Sequence, residues 1–170
     1  MRILLAIDDS SCSEAAISTL LNRTKIPDTE VLVLHVIDPC QLTPIAFSFI
    51  EGPEAVRQCN ELRLKWHAEA NRLVTQTAER LEIAGIKAST LVREGEPKSV
   101  ILDQASQWQA DLIVLGSHGR RGINRFLLGS VSDTVAQHSP CSTMIVRPEA
   151  QEQQNSFQPT EAENIHTPQH

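Results

Sequence analysis

Four of the chain's seven glycines, Gly116, Gly119, Gly122 and Gly129, fall in one short stretch. Glycine lets a backbone turn sharply and pass close to a ligand with no Cβ in the way. The stretch follows the apolar run Leu112–Leu115 and leads into a helical pattern that starts near Ser130. A helix N-terminus offers unpaired N–H groups and the positive end of the helix dipole, which together favour an anion. Arg120, Arg121 and Arg125 gather positive charge there, and His118 joins them if protonated. A phosphate-bearing ligand is the economical explanation of a strand, a glycine loop and a helix start in sequence. The plainer alternative is that the glycines only turn the chain and the arginines only face solvent.

The common phosphate motifs do not fit. No GxxxxGK[ST] occurs, so there is no Walker lysine, and Gly116-x-x-Gly119-x-x-Gly122 is not GxGxxG. The turn Ile7-Asp8-Asp9-Ser10-Ser11 has no glycine to receive a dinucleotide pyrophosphate. The four cysteines (Cys12, Cys40, Cys59 and Cys141) form no CxxC pair and have no metal-ligand spacing. They are expected to be reduced packing residues.

The loop needs elements to hold it. Ile3–Ile7, Val31–Ile37, Leu112–Leu115 and Thr143–Val146 are near-continuous apolar runs, as expected of strands covered on both faces. Lys87–Arg93 is more polar and is expected at a sheet edge. Between these runs lie helical patterns. Ser11 with Glu14 has capping-box spacing and opens a helix to about Arg23. Leu62, Trp66, Ala70, Leu73, Thr77, Leu81 and Ala84 mark one face of a long helix that Gly85 stops. Pro97 suits a first helical position ahead of the Ile101, Ala105 and Trp108 stripe. Ser130 and Asp133 repeat the capping-box spacing. Strands alternating with helices predict a doubly wound, five-stranded parallel sheet with right-handed crossovers, a Rossmann-like α/β fold. Residues 38–53 are expected to form a long loop. Strand order 3-2-1-4-5 then sets Asp8 and the Gly116 loop on opposite sides of the crevice where the order reverses.

Composition narrows the class. With 170 residues, 41% apolar, the chain suits one domain with a core of aliphatic side chains, since it has no tyrosine. No apolar run approaches the ~18–20 residues that span a bilayer. The N-terminal MRILLAIDDS is expected to be a first strand and not a leader, and the location to be cytoplasmic. The net charge is −6, of which Glu149, Glu152, Glu161 and Glu163 account for four. Nucleic-acid binding needs a basic face, and this balance argues against it. Residues 149–170 are polar and acidic, and are expected to be a disordered tail behind a domain of residues 1–148.

Gly116-Ser-His-Gly119, nine residues and then Gly129-Ser130 resembles the G-x2-G-x9-G-[ST] signature of the ATP-binding universal stress protein family. Ile3–Ser10 is similar to that family's first strand, Leu34–Ile37 to its second, Glu94–Pro97 to its turn into the third helix, and Ser139–Arg147 to its closing segment. The likeness implies roles. Asp8 would bind the ribose hydroxyls, or else cap the next helix. Val36 would hold adenine through its backbone, with Ile7 as an apolar wall, though core packing explains both side chains equally. Gly116 would lie against the ribose, and Gly119, Gly129, Ser130 and Val131 against the phosphates. Arg120 would add charge or face solvent. The implied ligand is ATP, with AMP or another adenine nucleotide as alternatives, and with Mg²⁺ held mainly by phosphate oxygens. The implied protein is a stress-response regulator acting as a nucleotide-dependent homodimer, paired through the edge strand at 142–147, with little or no hydrolysis. A slow ATPase or autophosphorylating enzyme on the same sheet is the alternative, with Asp9 and Asp133 its nearest candidate acids. A protein-interaction module with a vestigial pocket is a third reading, against which the intact glycine spacing argues.

Overall fold

The computed structural model describes residues 1–23, 28–39, 53–119 and 128–148. In chain order the elements are β1 (Arg2–Ala6), α1 (Ser11–Arg23), β2 (Glu30–Ile37), α2 (Pro53–Ile83), β3 (Lys87–Glu94), α3 (Pro97–Trp108), β4 (Leu112–Gly116), α4 (Ser130–His138) and β5 (Ser142–Val146). The strands form one sheet in the order β3-β2-β1-β4-β5, with every pairing parallel. The expected fold and strand order are therefore what the chain adopts, and the polar β3 is an edge strand.

Alternation along the central strands divides the core in two. Ile3, Leu5, Val31 and Val33 face one side, where they meet Ile17 and Leu20 of α1 and Val74, Ala78 and Leu81 of α2. Leu4, Ala6, Leu32 and Leu34 face the other, against Ile101 and Ala105 of α3 and Val135 of α4. Burial on both faces is what turns these strands into unbroken apolar runs. The buried stripe of α2 departs from expectation at its end. It runs through Ala70, Val74, Thr77, Ala78 and Leu81, whereas Ala84 is exposed beyond the last helical turn. Gly85, at φ +80, closes that helix in a conformation open to glycine, and Ile86 N–H returns to Leu81 C=O at 2.9 Å.

Both expected capping boxes are absent. For α1 the cap lies one residue earlier, because Ser10 Oγ accepts from Ser13 N–H at 3.2 Å. Glu14 turns outward to Arg80 of α2 in a two-pronged ion pair of 2.6 and 2.9 Å. At α4 the N-cap is Gly129, with no side-chain cap, and Asp133 accepts from Gln137 instead. The cysteines also divide: Cys12 is buried, Cys141 is half-buried, and Cys59 is exposed and so not a packing residue. Cys40 and most of the expected 38–53 loop lie outside the described residues, as does the tail, while Pro53 already belongs to α2. Among the described residues no helix is long and apolar enough to cross a membrane.

The Glu14–Arg80 pair carries a pH prediction. The Arg80 hydrogen bond holds the Glu14 carboxyl below its ordinary value. A carboxyl depressed in the folded state stabilises the fold above its unfolded pKa, and that contribution is lost as pH falls through the folded value. Both side chains are about half exposed. Arg80→Ala is therefore expected to cost only about 0.5 kcal/mol near neutrality. The difference from wild type should vanish under acid conditions, which urea denaturation at several pH values checks.

Candidate functional site

β1 and β4 lie side by side, with Ala6 opposite Leu115, and both end at the same crest of the sheet. From β1 the chain turns into α1 on one face, and from β4 it leads to α4 on the other. The two connections separate there and open a crevice at the point where strand order reverses.

Asp8 stands at the β1 side. Its Oδ1 accepts from Ser10 N–H at 3.1 Å, Ser10 Oγ at 2.5 Å and Ser13 Oγ at 2.6 Å. Its own N–H donates to Ser13 Oγ at 2.9 Å. One carboxylate oxygen is thus committed to the start of α1, and the capping role read from sequence is real. The other, Oδ2, faces Gly119 and has no hydrogen-bond donor among the described residues. A Cβ on Gly119 would lie 2.8 Å from it. A side chain at this position would have to displace that carboxylate oxygen.

The β4 side is pinned at its base. Ser117 N–H donates to Val146 C=O at 2.8 Å, and Ser117 C=O accepts from Gly129 N–H at 2.8 Å. The same carbonyl accepts from Ser132 Oγ at 2.8 Å, and that hydroxyl also reaches Gly129 C=O at 2.9 Å. Ser117 and Ser132 are 1% and 2% exposed, so these bonds are shielded from water. Both ends of the glycine loop, at Ser117 and Gly129, are therefore fixed. Asp133 N–H is the first in α4 to find a backbone acceptor, Gly129 C=O at 2.9 Å. The N–H groups of Ser130, Val131 and Ser132 have none among the described residues. Three donors and the dipole of α4 are left at the crevice, an arrangement suited to an anion.

Gly116 has a further reason to be glycine. A Cβ there would meet Cys12 Cβ at 2.6 Å and the Cys12 carbonyl carbon at 2.8 Å. The start of α1 packs directly on the β4 backbone, so Gly116 is required by helix packing whatever else it touches.

These elements enclose a cavity of about 800 Å³. Ile7, Asp8, Val36, Gly116, Gly119, Gly129, Ser130 and Val131 all line it. The structure thus brings together eight of the nine residues singled out from sequence. The ninth, Arg120, lies outside the described residues, as do Arg121, Gly122 and Arg125. His118 lines the cavity with Nδ1 3.1 Å from Ser117 Oγ.

Sequence reasoning missed the walls and the staple. Trp66, Arg72 and Leu73 of α2 and Lys98 of α3 line the cavity, and Ser132 closes the loop. The contact of Ser132 with Ser117 spans fifteen residues and leaves no periodic signal. The upper part of α2 is held against the end of β3 by Glu94, which His67 and Arg63 both contact. These partners, His67 foremost, hold the Glu94 carboxyl below its ordinary value. The described lining carries Asp8, Asp9, Asp38, Glu69 and Glu96 against only Arg72 and Lys98 as fixed cations. An anion among these residues would depend on backbone donors more than on side-chain charge. Among the described residues no cluster of three or more metal-ligating side chains occurs.

The model of the Universal stress protein family matches residues 1–147. The universal stress protein YxiE of Bacillus subtilis is 32% identical over 147 residues, which cover 86% of this chain and 98% of the relative. The solved structure of MJ0577 from Methanocaldococcus jannaschii superposes with a TM-score of 0.76 at 28% identity, over 87% of this chain and 96% of that one. A universal stress protein family protein from Arabidopsis thaliana, solved with AMP bound, shares the fold at a TM-score of 0.64 and 21% identity, over 92% of this chain and 97% of that one.

Proposed function

The chain belongs to the universal stress protein family, and on that premise we propose that its crevice binds an adenine nucleotide, with ATP the preferred ligand. The observation that carries this reading is the uncapped N-terminus of α4, whose first three N–H groups have no backbone acceptor among the described residues and lie beside the pinned ends of the glycine loop. A triphosphate is the ligand chemistry such a cluster of backbone donors takes. Gly119, Gly129, Ser130 and Val131 hold the phosphates, and Arg120 adds charge. Gly116 lies against the ribose. Asp8 takes the ribose hydroxyls through Oδ2, the oxygen its helix cap leaves free. Val36 and Ile7 receive the base. The AMP of the Arabidopsis protein supports an adenine nucleotide in this fold family.

Mg²⁺ enters with the phosphates. The acidic lining offers little to balance a triphosphate, and a divalent cation carried on phosphate oxygens and water removes much of that repulsion. The crevice has no Walker lysine and no cluster of metal-ligating side chains among the described residues. Fast phosphoryl transfer needs an aligned nucleophile and bridging metal ions. Residues 1–148 accordingly act as a binding unit whose occupancy regulates partners in the stress response.

Calorimetric titration tests the assignment. ATP with Mg²⁺ is expected to bind with a micromolar Kd, about −8 kcal/mol. GTP should bind more weakly. Absence of binding heat with ATP, AMP and cyclic AMP at millimolar concentration would overturn the reading.

The regulatory unit is a homodimer joined through β5. Ser117 N–H bonds to Val146 C=O, so Val146, Met144 and Ser142 turn their backbone groups towards β4. By strand alternation Thr143 and Ile145 turn theirs outward, along an edge suited to a twofold mate. Thr143→Pro removes an outward donor and leaves the β4 ladder whole. Light scattering is expected to show a dimer for wild type and mostly monomer for the variant. A monomeric wild type at tens of micromolar would count against the dimer.

A further inference from the structure

The ladder between β1 and β2 stops one rung before the chain requires it to. Ile7 N–H donates to Leu34 C=O at 2.9 Å. In a parallel ladder the next bond runs from Val36 N–H to Ile7 C=O. That bond is not made. Ile7 C=O instead accepts from the side chain of the residue between, His35 Nδ1, at 2.8 Å. A carbonyl can only accept, so Nδ1 carries the proton in this contact. Val36 N–H is left with no acceptor among the described residues, although β2 still pairs with β3 at this level through Val36 and Arg93. A backbone donor without a partner is rare in a folded chain and calls for a destination. Val36, His35 and Ile7 all line the crevice.

We infer that His35 is a positioning residue for the base. Its imidazole competes with Val36 N–H for the Ile7 carbonyl, and in this structure it is the imidazole that holds that group. The Val36 N–H stays open towards the crevice, where a ring nitrogen with a lone pair can take it. Adenine presents such an acceptor at N1, whereas guanine carries a proton there. His35 thereby contributes to base selectivity without touching the base. This rests on the adenine-nucleotide reading above for its ligand, but the state of the Val36 amide is a property of the free protein.

The experiment combines amide exchange with titration. In nucleotide-free wild type, the Val36 amide is expected to exchange fast for its depth in the sheet, and to become protected when ATP is added. His35→Leu removes the side-chain donor, so Val36 should close on Ile7 and its amide should exchange slowly without nucleotide. In the same variant ATP should bind about tenfold more weakly, while inorganic tripolyphosphate, which has no base, should stay within about twofold. His35→Asn, whose side-chain amide can donate from the Nδ1 position, should behave as wild type in both readouts. A protected Val36 amide in nucleotide-free wild type would overturn the inference by itself, even if the leucine variant failed to fold. So would a folded His35→Leu protein with unchanged ATP affinity and unchanged Val36 exchange. Failure of wild type to bind ATP would refute the nucleotide reading alone, and the exchange comparison would then still decide the role of His35.

Discussion

Gly129→Val is expected to weaken ATP binding by at least about a hundredfold, some 2.7 kcal/mol, while the sheet remains folded. The backbone at Gly129 does not need glycine for its conformation, since φ −66 and ψ 154 are open to any residue. Space is the constraint. A Cβ there would sit 3.2 Å from Ser117 C=O and 3.4 Å from His118 Cα, which is tight but can be relieved by small shifts. The two γ-methyl groups of valine make the difference. They must occupy either the mouth of the loop, where a phosphate would approach Ser130 and Val131, or the place of the Gly129–Ser117 and Ser132–Ser117 bonds. In the first case the anion is excluded, and in the second the α4 N-terminus moves away from the loop. The second case breaks bonds shielded from water and should lower the melting temperature by a few degrees, but neither case touches the buried central strands, so circular dichroism should stay near wild type. Unchanged calorimetric affinity in a folded Gly129→Val protein would refute the placement of the phosphates.

Gly116→Ala should do the opposite, costing stability first. Its Cβ would lie 2.6 Å from Cys12 Cβ, 2.8 Å from the Cys12 carbonyl carbon and 3.0 Å from Ser13 N. Two of these are backbone atoms of α1, so no rotamer change relieves them. The first turn of α1 must lift off β4, and the bonds of Ser13 to Asp8 go with it. Overpacking against backbone places the loss near the top of the usual range, about 3 kcal/mol. For a domain of this size that lowers Tm by roughly 6–12 °C. A melting temperature within a degree or two of wild type would show that α1 is not seated on Gly116 as the contacts require.

The glycines illustrate how two demands can share one signature. Their spacing marks a stretch between a strand and a helix, and β4 and α4 do flank it. Yet the spacing says nothing of why each position lacks a Cβ. Gly116 makes room for α1, Gly119 for the Asp8 carboxylate, and Gly129 for the close return of the loop to Ser117. Asp8 divides in the same way, with Oδ1 capping a helix and Oδ2 turned to the crevice. Of the two roles left open for it in sequence, the cap is made by Oδ1 alone, which leaves Oδ2 without a donor among the described residues.

Local, repetitive physics made the fold legible from sequence. Strands buried on both faces must be apolar throughout, helices must present a stripe, and strands joined by helices must run parallel, so Ile3–Ile7, the Ala70–Leu81 stripe and Pro97 announce themselves. Within that frame eight residues far apart in the chain could be placed at one crest. What depended on partners distant in sequence could not be read. The Ser11–Glu14 and Ser130–Asp133 spacings both suggested capping boxes, but Glu14 found Arg80 across the helix interface, and α4 is left without a side-chain cap beside the crevice. Ser132 as the staple of the loop, Trp66 and Arg72 as a wall, and His35 as the occupant of the Ile7 carbonyl are likewise tertiary facts. Each is set by a hydrogen bond or a close approach between separate elements. Such a contact has no period along the chain, and only the assembled sheet and helices decide which of several satisfiable partners each group takes.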